Sequence, residues 1–260
     1  MAVEKTTVAK NNDRITDPDL STQYGADFVE RWDHLINWKQ RAAGEERFFE
    51  KILWEAGAQR VLDAAAGTGY HSVSLAHAGF DVTGVDASAE MVNKAVANAQ
   101  EKGVDVDFLQ ADWRYLSQSV SGRFDAIVCL GSSFPHLFDE SDRSRALTEF
   151  HALLNPGGLL IVDHRNFDAI RARRFRSSGD YYYCGDGVDI SIDEVSDVLC
   201  RFRYRFPDDS VHHLEVYPVR DEELRGLLTQ AGFFEQRTFG DFQEEFDLLD
   251  CDFIIHTAKK

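Results

Sequence analysis

Two acidic residues and a pair of glycines carry the first chemical signal in this chain. Val61-Leu-Asp-Ala-Ala-Ala-Gly-Thr-Gly69 runs from a short apolar strand into Asp63, then through small residues and two glycines. Such a turn lets a ligand approach the backbone, because Cβ atoms at Gly67 and Gly69 would block it. Phe80-Asp-Val-Thr-Gly-Val-Asp86 reads as a second strand, ending in an acid seventeen residues beyond Gly69. An acid there can accept hydrogen bonds from ribose hydroxyls. It can also cap the following helix, and the two roles can coexist. A dinucleotide fingerprint needs a third glycine where Ser72 stands. The spacing therefore points to a ribose-bearing ligand without a pyrophosphate.

Positioning these groups requires alternating strands and helices. Strand-like runs at 60–64, 81–85, 106–110, 126–130 and 159–164 alternate with helical runs at 70–78, 89–102 and 142–154. Near-continuous apolar strands separated by helices predict a parallel sheet covered on both faces. Before the turn, Phe28, Trp32, Leu35 and Ile36 recur at helical spacing within Tyr24–Arg41, and 47–54 continues helically. After Arg165 the pattern becomes β-like, with runs at 181–184, 198–206 and 211–217 and a turn signal at Pro207-Asp208-Asp209. A helix at 221–231 and strands at 235–239 and 252–257 complete the core. The expected organisation is a tail and helical lid over 1–58, a ligand-binding core over 59–170, an antiparallel β insertion over 171–218 and a closing segment over 219–260.

The 260 residues are 43% hydrophobic and 12% aromatic, enough to bury a core without disulfides or metal. Against 28 bases stand 45 acids, a formal charge of −17. This argues against nucleic acid and anionic membrane partners, which need a basic footprint. Solubility explains the acidity, as does adaptation to high salt. Cys129, Cys184, Cys200 and Cys251 are too scattered for a disulfide scaffold or a zinc site. Residues 1–19 show no apolar signal region, and no stretch is long and apolar enough to span a membrane, so a cytoplasmic location is expected.

Further motifs narrow the reading. Cys129-Leu-Gly-Ser-Ser-Phe-Pro-His-Leu137 and Asp163-His-Arg-Asn-Phe-Asp168 are followed by YYYCGD at 181–186, RFRYRFPD at 201–208, VYP at 216–218 and Phe239–Phe242. With YGADFVERWDHLINW near the start, this set closely resembles the glycine N-methyltransferases, in particular the bacterial glycine/sarcosine N-methyltransferases that supply the osmolyte glycine betaine. The likeness runs from Tyr24 to the C-terminus. It implies a Rossmann-like class I methyltransferase fold, α/β with a mostly parallel seven-stranded sheet, and S-adenosylmethionine as co-substrate with no metal. The implied cofactor residues are Tyr24, Trp32, Arg41, Asp63, Ala65, Gly67, Gly69, Asp86, Ala87, Met91, Asp112, Trp113, Leu130 and His136.

On the acceptor side the resemblance implies Arg165, Tyr183, Tyr204 and Tyr217 as the catalytic set, with Ser132 and Tyr24 also touching the substrate. Arg165 offers a planar fork that a lysine cannot reproduce to a carboxylate. The tyrosines could surround an amine, although each also suits plain strand packing. Ser132 departs from the Asn usual in the family; it is shorter and lacks the amide donors. An acceptor preference for sarcosine, dimethylglycine or another small amine therefore stays open, and a non-catalytic S-adenosylmethionine sensor is the alternative of another class. Arg171–Arg176 reads as a solvated face or one paired with the chain's own acids, with binding of an anion or folate-like regulator as the alternative. Monomer and homo-oligomer are both compatible with the sequence.

Overall fold

In the computed structural model, which describes residues 23–174 and 185–260, the glycine turn sits at the centre of a seven-stranded sheet. The strands are β1 (Arg60–Asp63), β2 (Asp81–Asp86), β3 (Asp107–Gln110), β4 (Phe124–Cys129), β5 (Leu154–Arg165), β6 (Asp189–Val195), β7 (Cys200–Arg205), β8 (Val211–Val216), β9 (Phe234–Gly240) and β10 (Phe253–Lys259). The helices are α1 (Ala26–Ile36), α2 (Trp38–Glu45), α3 (Phe48–Glu55), α4 (Tyr70–His77), α5 (Ala89–Lys102), α6 (Leu116–Ser119), α7 (Glu140–Leu153), α8 (Phe167–Arg171) and α9 (Asp221–Gln230). The large sheet has the order β3-β2-β1-β4-β5-β10-β9. Strands β1 to β5 pair in parallel, whereas β10 is antiparallel to both its neighbours. The strand order reverses between β1 and β4, and open α/β sheets bind ligands beyond the carboxyl ends of the strands at such a point.

The central strands are apolar on both faces because each face is covered. Leu62, Ile127 and Leu160 enter one apolar cluster, and their chain neighbours Val61, Val128 and Ile161 enter the other. That is the two-residue alternation of a strand with no solvent face. Helix α7 buries Arg143, Ala146, Leu147, Phe150 and Leu153, one stripe at helical spacing, and Asp139 caps it by accepting from the Ser141 N–H at 2.7 Å. Helix α5 starts with the Ser88 hydroxyl on the Met91 N–H and ends at Gly103 in the left-handed region. No helix among the described residues is long and apolar enough to cross a membrane.

The sequence pattern differs from the structure in two stretches. The single helical run expected over 24–41 breaks at Asn37, where φ is +38°, and the Asn37 side chain caps α2 by accepting from the Gln40 N–H. The three-stranded antiparallel sheet is present, in the order β6-β7-β8, but its first strand is Asp189–Val195. The expected strand at 181–184 lies outside the described residues, as does most of the run Tyr181–Asp186. None of the expected strands covers β6, whose Asp189, Asp193 and Glu194 have poor strand preference. The strand pairs with the basic edge of β7 through Glu194–Arg201 (3.3 Å), Asp193–Arg203 (3.6 Å) and Asp189–Arg205 (3.8 Å), while Ile190 and Ile192 turn inward. Cross-strand charge pairing there offsets the poor strand preference of the acids.

Candidate functional site

Both glycines of the turn have positive φ, but for different reasons. At Gly67 (φ +53°) an added Cβ would meet nothing closer than Trp32 Nε1 at 3.8 Å, so this residue faces open space on the ligand side. At Gly69 (φ +93°) it would meet Ala95 Cβ and Cα at 3.2 and 3.3 Å. Gly69 thus serves the close approach of α4 to α5. Asp63 is also turned away from open space: it is buried and accepts from the Ser72 hydroxyl (2.6 Å) and the Ala65 N–H (3.3 Å). Neither Asp63 nor Gly69 lines the cavity that the turn opens onto; they shape the turn from behind. Ser72, at the missing third glycine, supplies the hydroxyl that holds Asp63.

The turn opens onto a cavity of about 370 Å³. Asp86 lies on its wall, with Oδ2 accepting from the Gly67 N–H and Oδ1 from the Ser88 N–H, each at 2.9 Å. Burial pushes its carboxyl up to about 6, against the opposing pull of those two amides. The helix cap proper is Ser88, so Asp86 is not needed for that role. Ala65, Ala87, Met91, Leu130 and Trp113 form the apolar part of the lining, and Trp113 donates its indole N–H to the Ala64 carbonyl. Asp112 also lines it, held by Arg114 at 2.6–3.0 Å; burial raises its carboxyl, but the Arg114 bonds outweigh this and lower it.

At one end of the same cavity lies a group that sequence reasoning found only in part. Arg41 is buried, its Nε donating to Glu45 Oε1 at 2.6 Å and its guanidinium 5.0 Å from the centre of the Tyr70 ring. Tyr70 donates to Glu45 Oε2 (3.2 Å), and His71 Nε2 lies 3.1 Å from Oε1. Burial pulls the Glu45 carboxyl up, yet His71 and Arg41 together bring it down to about 2. Tyr70 and His71 follow Gly69 directly, which is the signal that could have found them. Glu45 sits four residues after Arg41 in α2, one helical turn away.

A second, smaller cavity of about 50 Å³ shares Tyr24, Trp32, Ile36, Arg41, Gly131 and His136 with the first. Its remaining wall is Leu35, Ser132, Arg165, Phe202, Tyr204, Leu214, Val216 and Phe253. Arg165, at the end of β5, is buried with its guanidinium 5.0 and 5.1 Å from the Phe202 and Phe253 ring centres. Tyr204 projects from the insertion sheet beside Phe28 and Phe202. Ser132 adopts φ +58°, a region where Asn is commoner than Ser. Its N–H donates to Asp163 Oδ1 at 2.7 Å and its hydroxyl accepts from the Arg165 N–H at 3.0 Å.

His136 and Tyr24 bridge the shared wall. His136 Nδ1 lies 2.9 Å from the Ser133 carbonyl, which can only accept, so the ring proton sits on Nδ1. Nε2 then accepts from the Tyr24 hydroxyl at 2.8 Å. Burial lowers the imidazole to about 4, and it is neutral at ordinary pH. Burial raises the Tyr24 phenol well above its usual range, so it remains protonated.

The structure does not bring Tyr217 to either cavity. Its hydroxyl donates to Glu223 at 3.2 Å and its ring lies under the Arg143 guanidinium, 3.8 Å from ring centre to cation. Tyr183 lies outside the described residues and keeps only the role implied by resemblance. Within Arg171–Arg176, Arg171 donates to the Ser196 carbonyl and pairs with Asp197.

A family profile described as a methyltransferase domain matches residues 61–158, the stretch that carries the glycine turn and Asp86. The chain is 50% identical over 238 residues to a glycine/sarcosine N-methyltransferase of Aphanothece halophytica, covering 92% of this chain and 90% of the relative. It is 47% identical to a glycine/sarcosine N-methyltransferase of Halorhodospira halochloris, covering 95% of this chain and 92% of the relative. Its fold is similar to the crystal structure of an S-adenosylmethionine-dependent methyltransferase from Clostridium acetobutylicum, with a TM-score of 0.69 at 19% identity over 90% of this chain and 97% of that one.

Proposed function

The chain belongs to the glycine/sarcosine N-methyltransferase family, and we propose that it methylates glycine to sarcosine and sarcosine to dimethylglycine with S-adenosylmethionine, towards glycine betaine. One observation carries the reading: a cavity with a ribose-type carboxylate on its wall adjoins, across shared lining residues, a small chamber containing the buried Arg165. The residues of the larger cavity fit the proposed co-substrate. Asp86 would accept from the ribose hydroxyls, Asp112 and Trp113 would flank the base, and Arg41 would face the carboxylate. The close approach needed at the turn is met by Gly67, where no side chain fills the space. When bound, S-adenosylmethionine supplies an electrophilic methyl group on a sulfonium.

The chain's own residues hold and orient the acceptor. Arg165 presents two parallel donors to the acceptor's carboxylate, in a chamber where aromatic rings exclude water and strengthen the pairing. Tyr24 and Tyr204 offer phenolic oxygens to the amine. The attacking nitrogen needs its lone pair. His136 is not set up to take its proton, because its Nε2 already accepts from Tyr24. The acceptor amine therefore enters neutral, and rate acceleration rests on alignment and fixed dipoles more than on acid–base transfer.

Arg165→Lys tests the assignment. It should raise KM for glycine about tenfold or more while leaving S-adenosylmethionine affinity within about twofold, since Lys loses the fork and keeps the charge. Equal losses for both ligands, measured by steady-state kinetics and calorimetry, would sink it.

A further inference from the structure

Behind Arg165 lie two buried histidines with no part in the chemistry above. His164 precedes Arg165 in β5; His256 lies in β10, diagonally across the antiparallel ladder, in which Ile254 pairs with His164 and His256 with Val162. Their rings are stacked, with centroids 5.3 Å apart, and the two Nε2 atoms are 3.2 Å apart. His164 Nδ1 lies 2.8 Å from the Arg165 carbonyl, and His256 Nδ1 lies 3.4 Å from Thr238 Oγ1.

One proton arrangement satisfies the buried contacts. The Arg165 carbonyl can only accept, so His164 carries its proton on Nδ1 and leaves Nε2 as an acceptor. His256 must then donate from Nε2, which leaves its Nδ1 to accept from the Thr238 hydroxyl. Protonating His164 would place two N–H groups face to face, and protonating His256 would bury a positive charge beside Arg225. Burial accordingly lowers His164 to about 4 and His256 well below its usual value. Asp168 is the further charge acting on His164. Around His256 stand Arg225 and Asp221, the latter with Oδ1 3.7 Å from Nε2, beyond hydrogen-bond distance.

The sheet ladder itself does not hold Arg165 at this point. Phe253, paired across from it, donates its N–H to Asp241 Oδ1 (2.9 Å) and accepts from the Asp241 N–H at its own carbonyl (3.1 Å). The Arg165 N–H goes to the Ser132 hydroxyl and its carbonyl to His164. Side chains grip both polar groups of the backbone that aims the guanidinium.

We propose that His164 and His256 are positioning residues for Arg165: a tautomer-locked, neutral hydrogen-bond chain from Thr238 to the Arg165 carbonyl that fixes the guanidinium against the acceptor's carboxylate. The proposal rests on Arg165 binding that carboxylate. A small displacement of an orienting group reaches the reaction geometry directly. His164→Leu keeps the bulk and removes both the donor and the acceptor, and it should raise KM for glycine about tenfold with S-adenosylmethionine affinity unchanged. His256→Leu removes one donor and should have a smaller effect in the same direction. His164→Gln retains a donor for the carbonyl and an acceptor for His256, and should recover most of the loss.

Steady-state kinetics of these variants beside Arg165→Lys, with long-range proton–nitrogen NMR of the wild-type histidines, tests the idea. A selective rise in glycine KM reversed by Gln supports it, as does NMR showing His164 protonated on Nδ1 and His256 on Nε2. Folded Leu variants with unchanged glycine KM overturn it while leaving Arg165 its role. The opposite tautomers overturn it even if the Leu variants do not fold. Arg165→Lys with unchanged glycine KM overturns the assignment of Arg165, and the proposal with it.

Discussion

Replacing Asp86 by Asn separates what this residue does for the ligand from what it costs the fold. In the folded chain its carboxyl is pushed from 3.8 up to about 6 by burial. The native state thus holds that proton more tightly than the unfolded chain does, and the stability this contributes is present below 3.8 and lost as pH rises through about 6. At neutral pH the ionised group therefore costs the native state about 3 kcal/mol at most. Asn removes that cost. It also turns an NH₂ group towards either the Gly67 N–H or the Ser88 N–H, both of which now donate to carboxylate oxygens at 2.9 Å. Losing one charge-assisted bond costs about 1.5–3 kcal/mol. The two effects nearly cancel, so the melting temperature should shift by only a few degrees.

Binding has no such cancellation. A ribose donates to Asp86, and only the ionised form accepts from both hydroxyls. Losing one such acceptor should weaken S-adenosylmethionine affinity about tenfold to a hundredfold. In the wild type, affinity should fall by up to about tenfold per pH unit below about 6, and Asp86→Asn should abolish that dependence. Calorimetric titration of both proteins between pH 5 and 7 reads these slopes directly. A flat wild-type profile, or equal affinities for the two proteins, would refute the ribose assignment.

Two other outcomes follow from the geometry. Tyr217→Phe removes a hydroxyl bonded to Glu223 outside both cavities, so it should cost about 1 kcal/mol of stability and leave kcat and KM within about twofold; a tenfold fall in kcat would return Tyr217 to the site. His164 is neutral in the fold down to about 4, whereas the unfolded chain takes up the proton near 6.5. Stability is complete above 6.5 and declines as pH falls towards 4, by up to about 3 kcal/mol from this group. Asp86 acts in the opposite sense between about 6 and 3.8, so the difference between wild type and His164→Gln isolates the histidine. Urea unfolding at pH 7 and 4.5 should show the variant losing less than the wild type, and equal losses would count against a buried neutral His164.

The part of the site that the sequence made visible is the part built from short-range order. The glycine turn, Asp86 and Asp112 occupy the ends of consecutive strands, so their positions follow once the strands are recognised. Arg165 closes the unbroken buried run of β5 from Gly158, which brings it to the same edge of the sheet. Direction was harder to read. Tyr217 follows the last residue of β8, where the chain leaves the sheet and strand alternation no longer says which way a side chain points. Asp63 and Gly69 have the residue types of a ligand turn but face inward, because Ser72 and Ala95 stand behind them. Strand β6 was hidden by its acids, whose partners are arginines on a strand seven or more residues later.

On the proposed assignment, the wall between the two cavities is where selectivity for an amino-acid acceptor would arise. The cofactor side is fixed by the sheet edge, through Gly67, Asp86 and the loop after β3. The acceptor side is assembled from elements remote in sequence: α1 brings Trp32 and the turn before it Tyr24, the loop after β4 brings Ser132 and His136, and the insertion sheet brings Phe202 and Tyr204. These pieces are tied to one another. Tyr24 donates to His136, Ser132 accepts from Arg165, and Phe28 of α1 stacks 4.7 Å from His212 of β8. Displacing α1 would therefore open both cavities at once and move the Tyr24 phenol that lines them. On that assignment, selectivity and methyl-transfer geometry would depend on the same contacts, as expected where alignment supplies most of the catalysis.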